Sequence, residues 1–143
     1  MKRNMKQWLM KIPSPSTRKA MPFVTFSGMD LLGRPVSDLY HNGRVQYECM
    51  AALAERYPSL AAHTAMDLSA EAEAFGSSVR LSDTEAPTVI GSLVSDLEGI
   101  RALDIPEVGA GRTGAYIEAA SLAAANIAEV PVFGGAIGPF SLA

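Results

Sequence analysis

The chain has 143 residues, of which 48% are hydrophobic and 19% are charged, a composition typical of a globular domain with a packed core. Its formal net charge is −3, and lysine and arginine cluster only at the N-terminal end, so the basic face that nucleic acids require is excluded. Cys49 is the single cysteine, which excludes an internal disulfide. The sequence carries neither a signal-peptide core nor an apolar run of about 18 residues. We therefore expect a cytoplasmic protein that binds neither nucleic acid nor membrane.

The first 20 residues predict a helix followed by a linker. Met5, Trp8, Leu9 and Ile12 are spaced i, i+3, i+4 and i+7, which places them on one stripe of a short amphipathic helix. The segment PSPST then ends this helix because its two prolines break the helical pattern. The predicted organisation is therefore a helix and linker over 1–20 and one main domain over 21–143.

The main domain begins with a predicted strand, a helix and a second strand. The run MPFVTF at 21–26 is rich in strand formers, and SGMDLLGRP after it has the glycines and proline of a loop. The segment 43–57 predicts a helix ended by Pro58, with one apolar face made of Val45, Cys49, Ala52 and Leu53. LAAHTAM at 60–66 predicts a short buried strand that runs into Asp67.

The second half predicts a short helix, a hairpin, a long helix and a last strand. Ser69 is the expected cap of the helix AEAEAF, which ends at Gly76. SSVRLSD and PTVIGSLVSD are typical of two strands that pair as a hairpin. A helix over about 114–128 precedes an apolar strand over 130–137.

This order of elements is the alternation expected of parallel βα units, so the predicted fold is α/β. A closed eightfold barrel of such units needs about 250 residues. The last apolar strand has nothing after it to cover its edge. We therefore expect the chain to be the front part of something larger, able to self-associate through the exposed strand edge.

The spacing G-x-G-x-x-G occurs at Gly109, Gly111 and Gly114 and admits two interpretations. One is a phosphate cradle for a dinucleotide, which needs a buried strand before the glycines and an acid at the end of the next strand. Here Pro106 weakens the preceding strand, and Glu129 comes before the next strand. The other, which we favour, is a loop before a helix whose N-cap is Thr113. Arg112 beside it either holds an anion at the helix start or, as we favour, is a surface arginine.

Four segments in matching order carry a family resemblance: MPFVTFSGMD at 21–30, ERYPSLAAHTAMDLSAEAEAFGSSVRLSD at 55–83, IPEVGAGRTGAYIEA at 105–119 and PVFGGAIGPFSLA at 131–143. They resemble the N-terminal part of the uroporphyrinogen decarboxylase superfamily. The corrinoid-linked branch, the methylcobamide:coenzyme M methyltransferases, is the more similar one. The resemblance implies an incomplete TIM-type (β/α)8 barrel over 21–143, with a site at the carboxyl ends of its strands.

The resemblance also implies the site residues. Asp67 matches an aspartate that, in the decarboxylases, contacts the pyrrole N–H groups of the substrate, so it is the predicted catalytic residue; capping of the following helix is the alternative. Glu71 and Glu73 either line the site beside it or form a solvated helix face. Residues following the first and last strands would border the barrel mouth and contact substrate: Ser27, Gly28, Met29, Gly138, Pro139 and Phe140.

The loop after the first predicted strand departs from the decarboxylases. Those enzymes carry arginines there that pair with the carboxylates of the tetrapyrrole, whereas this loop has only Arg34 near its far end. The departure favours methyl transfer from a methylcorrinoid to a thiol. Decarboxylation in porphyrin biosynthesis remains one alternative, and a non-catalytic half-barrel that needs a partner is another.

The methyltransferase branch implies a zinc ion, held by a His-x-Cys pair and a distant cysteine, that activates the thiol. Its partners would be a corrinoid protein or a small thiol. His41, Cys49 and His63 are the only histidines and cysteine here, and no His-x-Cys occurs. We therefore expect no metal ligand in this chain, a core role for Cys49, a core or pocket role for His63, and no activity from the chain alone.

Overall fold

The computed structural model describes residues 3–12, 18 and 20–143 of the chain. Helices and short strands alternate along it, which confirms the predicted α/β class. The described residues form no closed barrel. In chain order the elements are α1 Met5–Lys11, a 3-10 helix Phe26–Gly28, α2 Met29–Leu32, α3 Val36–His41, α4 Gly43–Arg56, β1 Ala62–His63, α5 Ala70–Ala74, β2 Ser78–Arg80, β3 Thr88–Ile90, α6 Leu97–Arg101, α7 Thr113–Asn126, β4 Val132–Phe133 and α8 Pro139–Leu142.

Helices α4 and α7 pack against each other and form the centre of the molecule. The predicted helix over 43–57 is confirmed: the Asn42 side chain accepts a hydrogen bond from the Val45 amide at 3.1 Å, and the helix ends just before Pro58. Two groups of buried apolar side chains flank this pair. They are Met29, Leu39, Val45, Cys49 and Ala65 on one side, and Met50, Ala62, Ala119, Ala123 and Ile127 on the other.

The strands β1 and β4 pair in parallel, with Ala62 opposite Val132 and His63 opposite Phe133. The Thr64 amide extends this pairing by donating to the carbonyl of Phe133 at 3.1 Å. Because the strands run parallel, their carboxyl ends meet at one edge. The strands predicted over 60–66 and 130–137 therefore exist, in shorter form.

The strand predicted over 21–26 is wrong. In the described residues, the pairing near this segment is a single isolated parallel bridge between Ala20 and Ser59. Pro22 cannot donate to a ladder, and Thr25 already has helical backbone angles. The predicted loop after it is instead the 3-10 helix and α2, which ends at Gly33 in the left-handed conformation.

The predicted hairpin is confirmed as the antiparallel pair β2 and β3, in which Val79 lies opposite Val89. The short helix before it is confirmed as α5, but Ser69 makes no side-chain cap there.

The glycine segment forms a turn, and the described residues directly before it, 103–108, do not form a strand. Gly109 and Gly111 have φ of 89° and 55°, the left-handed region that glycine adopts most readily. The first helical residue of α7 is Thr113, so the predicted N-cap is off by one residue. The Thr113 hydroxyl donates to the carbonyl of Ala110. The described geometry therefore lacks the strand that a dinucleotide cradle requires.

Helix α1 lies against the end of β4. The ring of Trp8 packs on Phe133 with centroids 5.9 Å apart, and the Arg3 guanidinium donates to the carbonyl of Ala128. The predicted linker PSPST, residues 13–17, lies outside the described residues. In the part of the chain that the structure describes, no helix is long and apolar enough to cross a membrane.

Candidate functional site

A cavity of about 560 Å³ opens at the carboxyl ends of β1 and β4. Residues that follow β1 form its floor, while α7 and the loop after β4 form its walls. A concave, mainly apolar space at this edge of a parallel sheet is the usual place for a binding site in α/β proteins. The lining residues include Phe23, His63, Thr64, Asp67, Glu71, Tyr116, Ile117, Phe133, Gly135 and Ile137.

Asp67 lies where the sequence predicts, directly after the residues that extend β1, but its carboxylate is fully buried within the protein. Its side chain has 0% exposure. One oxygen, Oδ1, accepts from the Ser69 amide at 2.8 Å and the Ser69 hydroxyl at 2.6 Å. The other, Oδ2, accepts from the Tyr116 hydroxyl at 2.7 Å and from the Arg112 guanidinium. The carboxylate therefore has four hydrogen-bond partners from its own chain.

Arg112 is a buried ion-pair residue, so its predicted surface position is wrong. Only 5% of its side chain is exposed. The guanidinium pairs with Asp67 and with Glu73, donates to the Ser69 hydroxyl at 2.8 Å, and lies over the ring of Tyr40 at 5.4 Å. Two carboxylates compensate the burial of this cation.

One signal in the sequence could have located this arginine. Position 112 is directly before a long helix, and the positive end of a helix dipole disfavours a cation there. An arginine at such a position therefore needs acidic partners from elsewhere, and the run from Asp67 to Glu73 supplies them.

The electrostatics of this cluster keep Asp67 charged. Burial alone would raise the pKa of Asp67, but hydrogen bonds from Ser69, Tyr116 and Arg112 outweigh it and hold the pKa below its ordinary value. Burial and the adjacent negative charge of Asp67 raise the pKa of Tyr116, so this tyrosine stays a protonated donor. For Arg112, burial opposes the charge, yet Asp67 and Glu73 raise its pKa above the ordinary value.

Glu71 and Thr64 attach the loop after β4 to the cavity floor. Glu71 Oε1 accepts from the Ile137 amide at 3.0 Å, and Thr64 Oγ1 accepts from the Gly135 amide at 2.8 Å. Glu71 lines the cavity as the first of its two interpretations requires, and Glu73 instead pairs with Arg112. Both glutamates are half-buried, and each makes a polar contact within the protein.

The structure does not bring the other predicted site residues to the cavity. Gly28 and Met29 are buried against α4 because the 3-10 helix and α2 replace the predicted strand end and loop, while Ser27 is exposed on the other side. Gly138, Pro139 and Phe140 follow the loop that lines the cavity, and Phe140 is 96% exposed. A contact between these residues and a substrate stays a prediction.

The described residues do not fit the zinc ion that the resemblance implies. The Cys49 thiol is buried and donates to the Thr25 carbonyl at 3.2 Å. Both ring nitrogens of His63 face carbonyl oxygens, of Thr64 and of Pro22. Nowhere in the described ranges do three histidine, cysteine or acidic side chains form a group that could hold a metal ion.

Comparisons with known proteins identify the family of the chain. The family model described as Uroporphyrinogen decarboxylase (URO-D) matches residues 5–143. The methylcobamide:CoM methyltransferases MtbA of Methanosarcina acetivorans and of Methanosarcina mazei are each 35% identical over 102 residues, 67% of this chain. The chain spans 30% of the length of these curated relatives.

Part of a solved structure of a methyltransferase from Methanosarcina mazei has the fold of this chain. The two superpose with a TM-score of 0.78 over 99% of this chain and 44% of that one, at 22% sequence identity. The family match, which covers nearly the whole chain, shows that the chain belongs to the uroporphyrinogen decarboxylase (URO-D) family.

Proposed function

We propose that the protein containing this chain transfers a methyl group from a methylcorrinoid to a thiol, and that the chain supplies the first βα units of a TIM-type barrel. The observation that carries the proposal is the 35% identity to two methylcobamide:CoM methyltransferases. The cavity at the strand ends, with its mainly apolar lining, supports it as a place for the reacting groups.

Two structural features favour methyl transfer over decarboxylation of a porphyrinogen. Among the described residues that line the cavity, there is no arginine that could pair with the acidic groups of a tetrapyrrole. The carboxylate of Asp67, which would meet pyrrole N–H groups, is occupied by Arg112 and Tyr116. In this proposal zinc is held by residues outside this chain, and a corrinoid protein or a small thiol is the partner.

The test is an activity assay on the protein purified as its own cells make it. Methylcobalamin and 2-mercaptoethanesulfonate are mixed with the protein under anaerobic conditions, and the visible spectrum of the corrinoid and the methylated thiol are measured. Uroporphyrinogen is offered in a parallel reaction. The proposal expects a methylated thiol and an unchanged porphyrinogen; loss of carboxyl groups from the porphyrinogen, with no methylated thiol, would contradict it.

We propose as a second candidate that the chain acts as a non-catalytic half-barrel that assembles through β4. Among the described strands β4 has one partner, β1, so its second edge offers backbone groups to another strand. Sedimentation of the purified chain measures this: a dimer that Val132→Pro converts to monomer supports assembly through β4. A monomer at all concentrations tested would contradict it.

A further inference from the structure

Asp67 is among the residues that line the cavity, but its carboxylate is buried behind that surface and its hydrogen-bonding capacity is already used. A carboxylate accepts about four hydrogen bonds. Ser69 supplies two donors to Oδ1, and Tyr116 and Arg112 supply one each to Oδ2. With no exposed surface on the side chain, a ligand could reach this carboxylate only by displacing one of these donors.

Arg112 is the donor that most resembles a bound ligand. Its guanidinium lies between Asp67 and Glu73, with Nη1 on one carboxylate and Nε on the other, and Nη2 on the Ser69 hydroxyl. The plane also lies over Tyr40. Three donors that lie in one plane and reach three different acceptors are specific to guanidinium and are not reproduced by lysine.

We infer that Arg112 is an internal ligand of Asp67 that determines specificity by closing this carboxylate to cations and N–H donors entering the cavity. Asp67 is then a positioning residue: it holds Arg112 and Tyr116, which belong to the start of α7, against the end of β1. The cavity keeps its apolar wall of Tyr116 and Ile117, and its selectivity comes from groups other than Asp67. This role replaces the predicted contact between Asp67 and a substrate.

The inference goes beyond methyl transfer, and its test needs no turnover. The probe is methylguanidinium, added at low millimolar concentration to the purified 143-residue chain, with tetramethylammonium as the control cation that lacks N–H donors. The thermal midpoint is measured for the wild type, for Arg112→Ala and for the double variant Asp67→Asn with Arg112→Ala. Because a ligand that binds only the folded state raises its stability, occupation of the emptied site is visible as an upward shift.

The expected result is no methylguanidinium-specific shift in the wild type, an upward shift in Arg112→Ala, and its loss in the double variant. A methylguanidinium-specific shift in the wild type that is absent from the double variant would overturn the inference, because it would show that the carboxylate is open to ligands while Arg112 is present. A folded Arg112→Ala that shows no shift would overturn it as well.

A measurement on the wild type keeps the inference testable if Arg112→Ala does not fold. Hydrogen exchange of the arginine Nε–H groups is followed by NMR, with the exposed Arg34 as the control. The Arg112 Nε–H donates to Glu73 in the closed arrangement, so we expect its exchange to be at least about tenfold slower than that of Arg34. Equal exchange rates would show that Arg112 leaves the carboxylates open.

Discussion

Gly28 lies in direct contact with Cys49. A methyl group at position 28 would lie 2.5 Å from the Cys49 Sγ and 2.7 Å from Leu53 Cδ1. Both neighbours belong to α4, and the Cys49 side chain is completely buried. We therefore expect Gly28→Ala to lower the free energy of unfolding by about 1–3 kcal/mol through overpacking, measured by urea denaturation.

The matched control for this substitution is Gly138→Ala. A Cβ at position 138 meets no atom within 4 Å, and its φ of −71° suits any residue. We expect a change within about 0.5 kcal/mol there. If both variants unfold at the same urea concentration, the close approach of the 3-10 helix to α4 is absent in solution.

Gly43→Ala tests the contact between α4 and α7. A Cβ at position 43 would lie 2.6 Å from the carbonyl oxygen of Ala115, a backbone atom that cannot rotate away. Alanine in a helix is ordinarily more stable than glycine by about 1 kcal/mol, so the packing predicts the opposite sign: a loss of about 1–3 kcal/mol. Urea denaturation of the wild type and of Gly43→Ala gives the sign of this change in the free energy of unfolding.

Gly99→Ala in α6 is the control, because its nearest neighbour would be 3.4 Å away. We expect this variant to be unchanged or slightly stabilised. A stabilised Gly43→Ala would contradict the close crossing of the two central helices.

The sequence predicts elements well where a local pattern and the tertiary packing agree. The apolar face that includes Val45 and Cys49 gives a clear helical period, and α4 buries that face. The hairpin is likewise local, since β2 and β3 are separated by a short polar segment. The run at 21–26 has strand propensity but lacks a ladder, because Pro22 removes a donor and a helical turn begins at Thr25.

Asp67 is the part of the candidate site that chain order alone could locate. Asp67 follows a strand, which places an acid at the cavity from chain order alone. Its pairing with Arg112 joins residues 45 positions apart and depends on how α7 docks. A cation directly before a helix indicates a need for acidic partners, but it does not indicate which residues supply them. The residue types there permit either a solvated helix face or an ion-pair cluster, and burial decides between them.

Asp67→Asn should lower stability at neutral pH by about 3 kcal/mol, because it leaves the buried Arg112 with one carboxylate fewer. The folded pKa of Asp67 is lowered, so its stabilising effect is complete above the ordinary aspartate pKa of about 3.9 and is lost as pH falls through the lower folded value. The difference in unfolding free energy between the wild type and this variant should therefore shrink below about pH 4. Urea denaturation at a series of pH values measures it.

Asp104→Asn, at an exposed position, is the control and should stay within about 0.5 kcal/mol of the wild type. A difference between the wild type and Asp67→Asn that is constant from pH 7 to pH 3 would contradict a charged, hydrogen-bonded Asp67.

Glu71→Ala should loosen the loop after β4, since Glu71 Oε1 accepts the hydrogen bond of the Ile137 amide. The loss of one such bond is worth about 1 kcal/mol, so exchange of the Ile137 amide should become roughly fivefold faster. Hydrogen exchange followed by NMR resolves this amide. Glu71→Gln keeps an acceptor oxygen and should keep most of the protection.

Thr64→Val provides the local comparison, because Thr64 Oγ1 accepts from the Gly135 amide in the same loop. This substitution should speed the exchange of the Gly135 amide more than that of the Ile137 amide. Equal exchange of Ile137 in the wild type and in Glu71→Ala would show that the glutamate does not hold the loop.

The Cys49 thiol should be unreactive in the folded chain. Burial raises the pKa of Cys49 to about 12, so almost no thiolate exists at pH 8, and the reactive species in alkylation and disulfide exchange is the thiolate. In the unfolded chain a cysteine ionises with a pKa of about 8.5. Ionisation thus favours the unfolded state, and stability should fall as pH rises above about 8.5 towards the folded pKa.

Reaction with Ellman's reagent at pH 8, with and without urea, measures the reactivity of the thiol. Urea denaturation from pH 7 to 10 measures the pH dependence of stability. Cys49→Ala should be destabilised at pH 7 yet lack the cysteine-dependent part of the alkaline loss. Rapid labelling of the folded wild type at pH 8 would contradict the buried, protonated thiol.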